Sequence, residues 1–108
     1  MKNITVFTHF DCLIKDNGPN HPERKERLEI ILESLKKIKD IKVDFQDAPI
    51  GNINEISLVH PKEYIKNIFK MIPKNGVISI EKEPYADTFL CPNTKNSILA
   101  SFGSGICA

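Results

Sequence analysis

His21-Pro22-Glu23-Arg24-Lys25-Glu26-Arg27-Leu28-Glu29-Ile30-Ile31-Leu32-Glu33-Ser34-Leu35-Lys36-Lys37-Ile38 is the stretch that decides the fold. Leu28, Ile31, Leu32, Leu35 and Ile38 recur at steps of three and four, which puts them on one stripe of a helix. Pro22 suits the first helical position, where a missing N–H costs nothing. His21 is then the expected N-cap, because a residue preceding proline avoids the α region. Asn20 and Glu23 have the spacing of a capping box one residue earlier. Lys36, Lys37 and Lys39 fall in the last turn, where positive charge complements the helix dipole.

On the N-terminal side lies Asp16-Asn17-Gly18-Pro19-Asn20, a run of turn formers, and before it Ile4 to Thr8, β-branched and aromatic, which predicts a buried strand. On the C-terminal side Lys42 to Phe45 suits a second short strand, closed by Asp47-Ala48-Pro49 and Gly51. Asn52 can cap a short helix running to Val59. A further helix begins at Pro61, carries Tyr64, Ile65, Ile68 and Phe69 on one face, and stops before Pro73. Residues 74–91 read as irregular. From Pro92 or Asn93 a last helix carries Ile98, Leu99, Phe102 and Ile106, interleaved with Ala100, Ser101, Gly103 and Gly105, whose small size permits close packing. The alternation of strand and helix is that of an α/β domain.

The 108 residues suffice for one domain and not for two. Apolar content of 41% and charged content of 27% are ordinary for a soluble globular chain. The formal charge is +1 and the lysine-rich stretches have acidic neighbours, so no basic face points to direct nucleic-acid binding. No apolar run is long enough for a bilayer, and the first residues are too polar for a signal-peptide core, so the expected location is the cytoplasm. Cys12, Cys91 and Cys107 are odd in number and irregular in spacing, which predicts reduced thiols.

Three segments carry a family resemblance. They are His9-Phe10-Asp11-Cys12-Leu13 with Gly18-Pro19-Asn20-His21-Pro22-Glu23-Arg24-Lys25-Glu26-Arg27-Leu28; Leu58-Val59-His60-Pro61-Lys62-Glu63-Tyr64-Ile65; and Asp87-Thr88-Phe89-Leu90-Cys91-Pro92. In order and spacing they resemble the histone deacetylase family, in its bacterial deacetylase-like, acetoin-utilisation and acetylpolyamine amidohydrolase branches. Departures affect loop detail: Lys15 stands where many relatives have His, Lys25 where Pro is usual, and Asn93-Thr94 replaces Gly-Ser.

The resemblance implies that residues 1–108 are the N-terminal portion of a single arginase/deacetylase-type domain, a three-layer α/β/α sandwich around a mostly parallel sheet. The apolar pattern of the last helix still runs at Ala108, so the domain is expected to be truncated there. The implied reaction is hydrolysis of an acetyl-amide bond in an acetylated amine, either a protein lysine or a polyamine. The implied cofactor is Zn²⁺, which polarises the acetyl carbonyl and acidifies a bound water. Such a centre takes an Asp-x-His pair, another Asp and a His-His dyad. No Asp here is followed two positions later by His, and His9, His21 and His60 lie far apart in sequence. The ligands are therefore expected beyond Ala108, and the chain alone is expected to be inert.

By position in the matched motifs, Arg27 corresponds to the arginine of the acetate cavity below the zinc, its alternative being a surface helix arginine. Asp87 corresponds to the rim aspartate that orients substrate, its alternative being a loop carboxylate ahead of a helix. His21 and Pro22 would line the first substrate loop. Rival functions are a structural zinc module built on His9, Cys12, His21 and Cys91, a Cys12 nucleophile with His9 or His21 as base, and a non-catalytic interaction domain.

Overall fold

The computed structural model describes residues 2–108. The strand predicted at the N-terminus is β1, Lys2–Thr8, but it is not buried, with Lys2 to Thr5 exposed and Val6 to Thr8 half-buried, and it pairs in parallel with β2, Ile41–Asp47, in the register Ile4 to Val43 and Val6 to Phe45. Between them lie a one-turn helix α1, Phe10–Leu13, and the striped helix α2, Lys25–Lys36. On β2 the half-buried Ile41, Val43 and Phe45 alternate with exposed Lys42, Asp44 and Gln46, the period of two that belongs to a strand covered on one face.

After β2, the Ala48 N–H donates to the Thr8 carbonyl at 2.7 Å and extends the pairing by one residue. The short helix α3, Ile53–Ile56, starts at Asn52, whose side-chain oxygen accepts the Asn54 N–H at 2.8 Å, as a polar cap should, but it ends at Ile56 and gives way to turns before Val59. Helix α4, Lys62–Met71, follows Pro61 and ends ahead of Pro73. The stretch read as irregular holds a two-residue antiparallel pair, β3, Ile78–Ser79, with β4, Phe89–Leu90, too short to show as a pattern. Helix α5, Thr94–Cys107, packs against α1 and β1. The chain is thus of α/β class, with a small parallel sheet.

Two expectations about helix ends are corrected. Helix α2 begins at Lys25 with Arg24 in the cap position, so His21 does not cap it and Pro22 is not its first residue. The loop competes for the first turn: Asn17 Nδ2 donates to the Glu23 carbonyl at 2.7 Å, and the Arg27 N–H turns to the Arg24 carbonyl instead. Gly18 and Asn20, with φ of 88° and 63°, provide the left-handed turns that keep residues 18–24 out of the helix. At the other end the helix stops at Lys36, so Lys39 lies beyond its last turn.

The buried core is small and mixes large apolar residues with small ones. The core consists of Ala48, Ile56, Ile65, Leu90, Cys91 and Ala100, joined by Thr94 and Ser97. On α5 the buried residues are Thr94, Ser97, Ala100 and Gly103, in steps of three, while Ile106 is exposed. Gly103 must be glycine, since a Cβ there would overlap the Pro49 carbonyl, and the Gly51 N–H donates to the Leu99 carbonyl at 2.8 Å beside it. None of α2 is buried, Ile31 of its stripe is exposed, and Ile38, also exposed, lies beyond its end. The radius of gyration, 15.8 Å, exceeds the roughly 13 Å of a compact domain this long.

Candidate functional site

The loop before α2 is tied to the segment around β4 at three points far apart in sequence. Lys15 Nζ donates to the Phe89 carbonyl at 3.0 Å and also to Asn17 Oδ1. The Asp16 N–H donates to Cys91 Sγ at 3.3 Å, and His21 Nε2 lies 2.9 Å from the Asp87 carbonyl. Asp16 in turn accepts the Gly18 N–H at 2.8 Å, which sets the tight turn. Two of the segments quoted for the family resemblance therefore meet in one rim.

His21 is committed at both ring nitrogens. Nδ1 accepts the Glu23 N–H at 3.0 Å, so in the neutral ring Nε2 carries the proton and donates it to the Asp87 carbonyl. The ring edge meets Phe89 in a T-shaped contact, 5.3 Å between centroids at 81°. With its side chain only 13% exposed, His21 works as a strut and not as a free base. Pro22 sits exposed beside it.

Asp87 has its backbone held and its carboxylate free. The carbonyl takes the His21 bond, while the Asp87 and Thr88 N–H groups donate to Glu81 Oε2 at 3.4 and 2.9 Å. The carboxylate is 87% exposed, with His21 Nε2 3.7 Å from Oδ1. Such a group can accept hydrogen bonds from an amide or an ammonium at a fixed place without ordering the loop first. Glu81 escaped the sequence reading, since a lone Glu ahead of Lys82 and Glu83 looks like any solvated charge. Its role shows in the bonds it accepts, from Thr88 side chain and backbone first, which hold its carboxyl down at about 2.

Arg27 lies elsewhere. It is half exposed on the first turn of α2 and pairs with Glu23 at 3.3 Å. It also borders a cleft of about 310 Å³, with Thr8, Cys12, Ser97 and Ser101, that Asp87 does not reach. Of the residues singled out from sequence, the fold brings together His21 and Asp87, and it leaves Arg27 apart.

The rival chemistries fare poorly on geometry. Cys12 is half-buried, its Sγ 3.9 Å from the Ser97 carbonyl, and burial followed by the nearby Asp11 raises its pKa, the wrong direction for a nucleophilic thiol. His9 is occupied with the Asp11 N–H at 3.1 Å. All three cysteines are free thiols. Among the described residues no three His, Cys, Asp or Glu side chains gather closely enough to hold a metal, so His9, Cys12, His21 and Cys91 do not form a zinc module. The zinc implied by the resemblance likewise finds no ligand set among them. No helix among the described residues is long and apolar enough to cross a membrane. No family model matches the chain, and no curated protein matches its sequence.

Proposed function

We propose that this chain supplies the substrate rim of a zinc-dependent deacetylase of the histone deacetylase family, as the N-terminal part of its three-layer α/β/α domain. The substrate is an acetylated amine, a protein lysine or a polyamine. The metal ligands and the proton-transferring histidines belong to a later segment, and the 108 residues alone have no turnover. The observation that supports this reading is the hydrogen bond from His21 to Asp87 across 66 residues, because it joins two motif segments into one edge. Asp87 receives the substrate's N–H groups, His21 and Glu81 keep it in position, and Arg27 lines the neighbouring polar cleft.

The test is expression of the chain with the coding sequence that follows Ala108. That protein hydrolyses an acetyl-lysine peptide or an acetylpolyamine, and Asp87→Asn lowers kcat/KM about tenfold or more, the worth of one charge-assisted hydrogen bond. A stop codon directly after Ala108 sinks the proposal. So does turnover by the 108 residues alone, or a longer protein that deacetylates no amine.

A further inference from the structure

A second cavity adjoins the rim through Lys15, Thr88 and Phe89 and is built differently. It measures about 610 Å³, within the roughly 300–1,000 Å³ usual for small-molecule sites. Its walls are α3 with its following turn, α4, β4 with the neighbouring Ile80, and α5. Its apolar lining includes Ile68, Phe69, Ile80, Phe89, Ile98 and Phe102. Lys95 Nζ sits 5.4 Å above the Phe69 ring and links α5 to α4 behind this wall.

One lining residue breaks the pattern. Lys15 reaches the cavity from the loop before α2, no carboxylate lines the space, and the lining holds no other Lys or Arg. Among the described residues Lys15 forms no ion pair, since every charged pair within 4 Å involves other groups. Two of its three donors are used, on Phe89 and Asn17, and one remains. Burial lowers its pKa, with Cys91, Asp16 and Glu23 opposing that shift, so an added anion would offset the loss of hydration.

We infer that this cavity binds a straight-chain aliphatic carboxylate, its tail between α4 and α5 and its carboxylate on Lys15. A tail alone would leave the third Lys15 donor unused, and a short carboxylate would leave the apolar walls wet. An alkylammonium would face a like charge. None of the residues to which the deacetylase reading gives a role, His21, Pro22, Arg27 and Asp87, lines this space, although Thr88 and Phe89 border both.

The experiment is titration of the 108-residue chain with dodecanoate below its micellar concentration, followed by calorimetry and by backbone amide shifts, with dodecanol, dodecylamine and acetate as parallel arms. Dodecanoate is expected to bind saturably at one site and to shift Ile68, Ile98 and Phe102. Dodecanol and dodecylamine should bind at least about tenfold more weakly, the worth of a charge-assisted hydrogen bond. Acetate should not bind measurably. Lys15→Met should weaken dodecanoate to the level of dodecanol, and Lys15→Arg, which keeps the charge, should bind more tightly than Lys15→Met. Equal binding of dodecanol or dodecylamine, or no saturable binding of dodecanoate, overturns the proposal. Because those arms use the unaltered chain, a folding defect in a Lys15 variant does not blunt them. A dimer in sedimentation that dodecanoate dissociates would assign the cavity to a second copy and overturn it as well.

Discussion

His21 Nε2 donates to the backbone carbonyl of Asp87 at 2.9 Å while its Nδ1 accepts the Glu23 N–H, so one imidazole bridges the loop before α2 and the segment leading into β4. Replacing His21 with Ala removes that bridge and the edge contact with Phe89. A loss of about 1–2 kcal/mol in urea unfolding is expected, from one hydrogen bond and one aromatic contact. Amide exchange at Thr88 and Phe89 should quicken in parallel. Unchanged exchange at both would show that the bridge does not hold the segment.

Glu81 gives the same segment a pH dependence. Its carboxyl is held at about 2 against an ordinary value of 4.5, chiefly by Thr88. A depressed carboxyl contributes stability above its unfolded pKa and loses it as pH falls through the folded one. The segment should therefore hold at pH 5 and loosen between about pH 4.5 and 2. The Thr88 amide shift should titrate with a midpoint near 2, and Glu81→Gln should abolish that titration. A midpoint at 4.5 would mean the carboxylate is not bonded there in solution.

Two glycines of α5 separate close packing from helix propensity. A Cβ on Gly103 overlaps the Pro49 carbonyl, whereas a Cβ on Gly105 meets nothing within 4 Å. Gly103→Ala should destabilise by about 1–3 kcal/mol, since backbone must move to admit the methyl. Gly105→Ala should be neutral or stabilise by up to about 1 kcal/mol through helix propensity. Equal unfolding midpoints for the two variants would contradict the packing of α5 on the Pro49 turn.

The three thiols should react in the order of their surroundings. Cys107 is exposed, Cys91 is buried, and Cys12 is half-buried with its pKa raised above the ordinary 9.0. Iodoacetamide at pH 8 should label Cys107 first, Cys12 slowly, and Cys91 last, on unfolding. Rapid labelling of Cys12 at neutral pH would reopen its reading as a nucleophile.

Local rules sufficed for the longer elements and missed the one-turn α1 and the two-residue β3 and β4. The β-branched run at residues 4–8, the three-and-four stripe from Leu28, the Asn52 cap and the proline stops around α4 all appear where side-chain chemistry alone puts them, because each depends on neighbours within a turn or two. What the fold decided was non-local. The start of α2 moved to Lys25 because Asn17 took the Glu23 carbonyl, and His21 left its capping role for a carbonyl 66 residues away. Glu81 gained importance only when the chain turned back to bring Thr88 beside it. On α5 the deepest face carries Thr94, Ser97, Ala100 and Gly103 while Ile98, Leu99 and Phe102 are half-buried, and Pro49 and Gly51 approach too closely for anything bulkier than glycine at position 103. Periodicity measures how apolar a face is. It does not measure how near the opposing backbone comes, and that distance exists only once the segments have met.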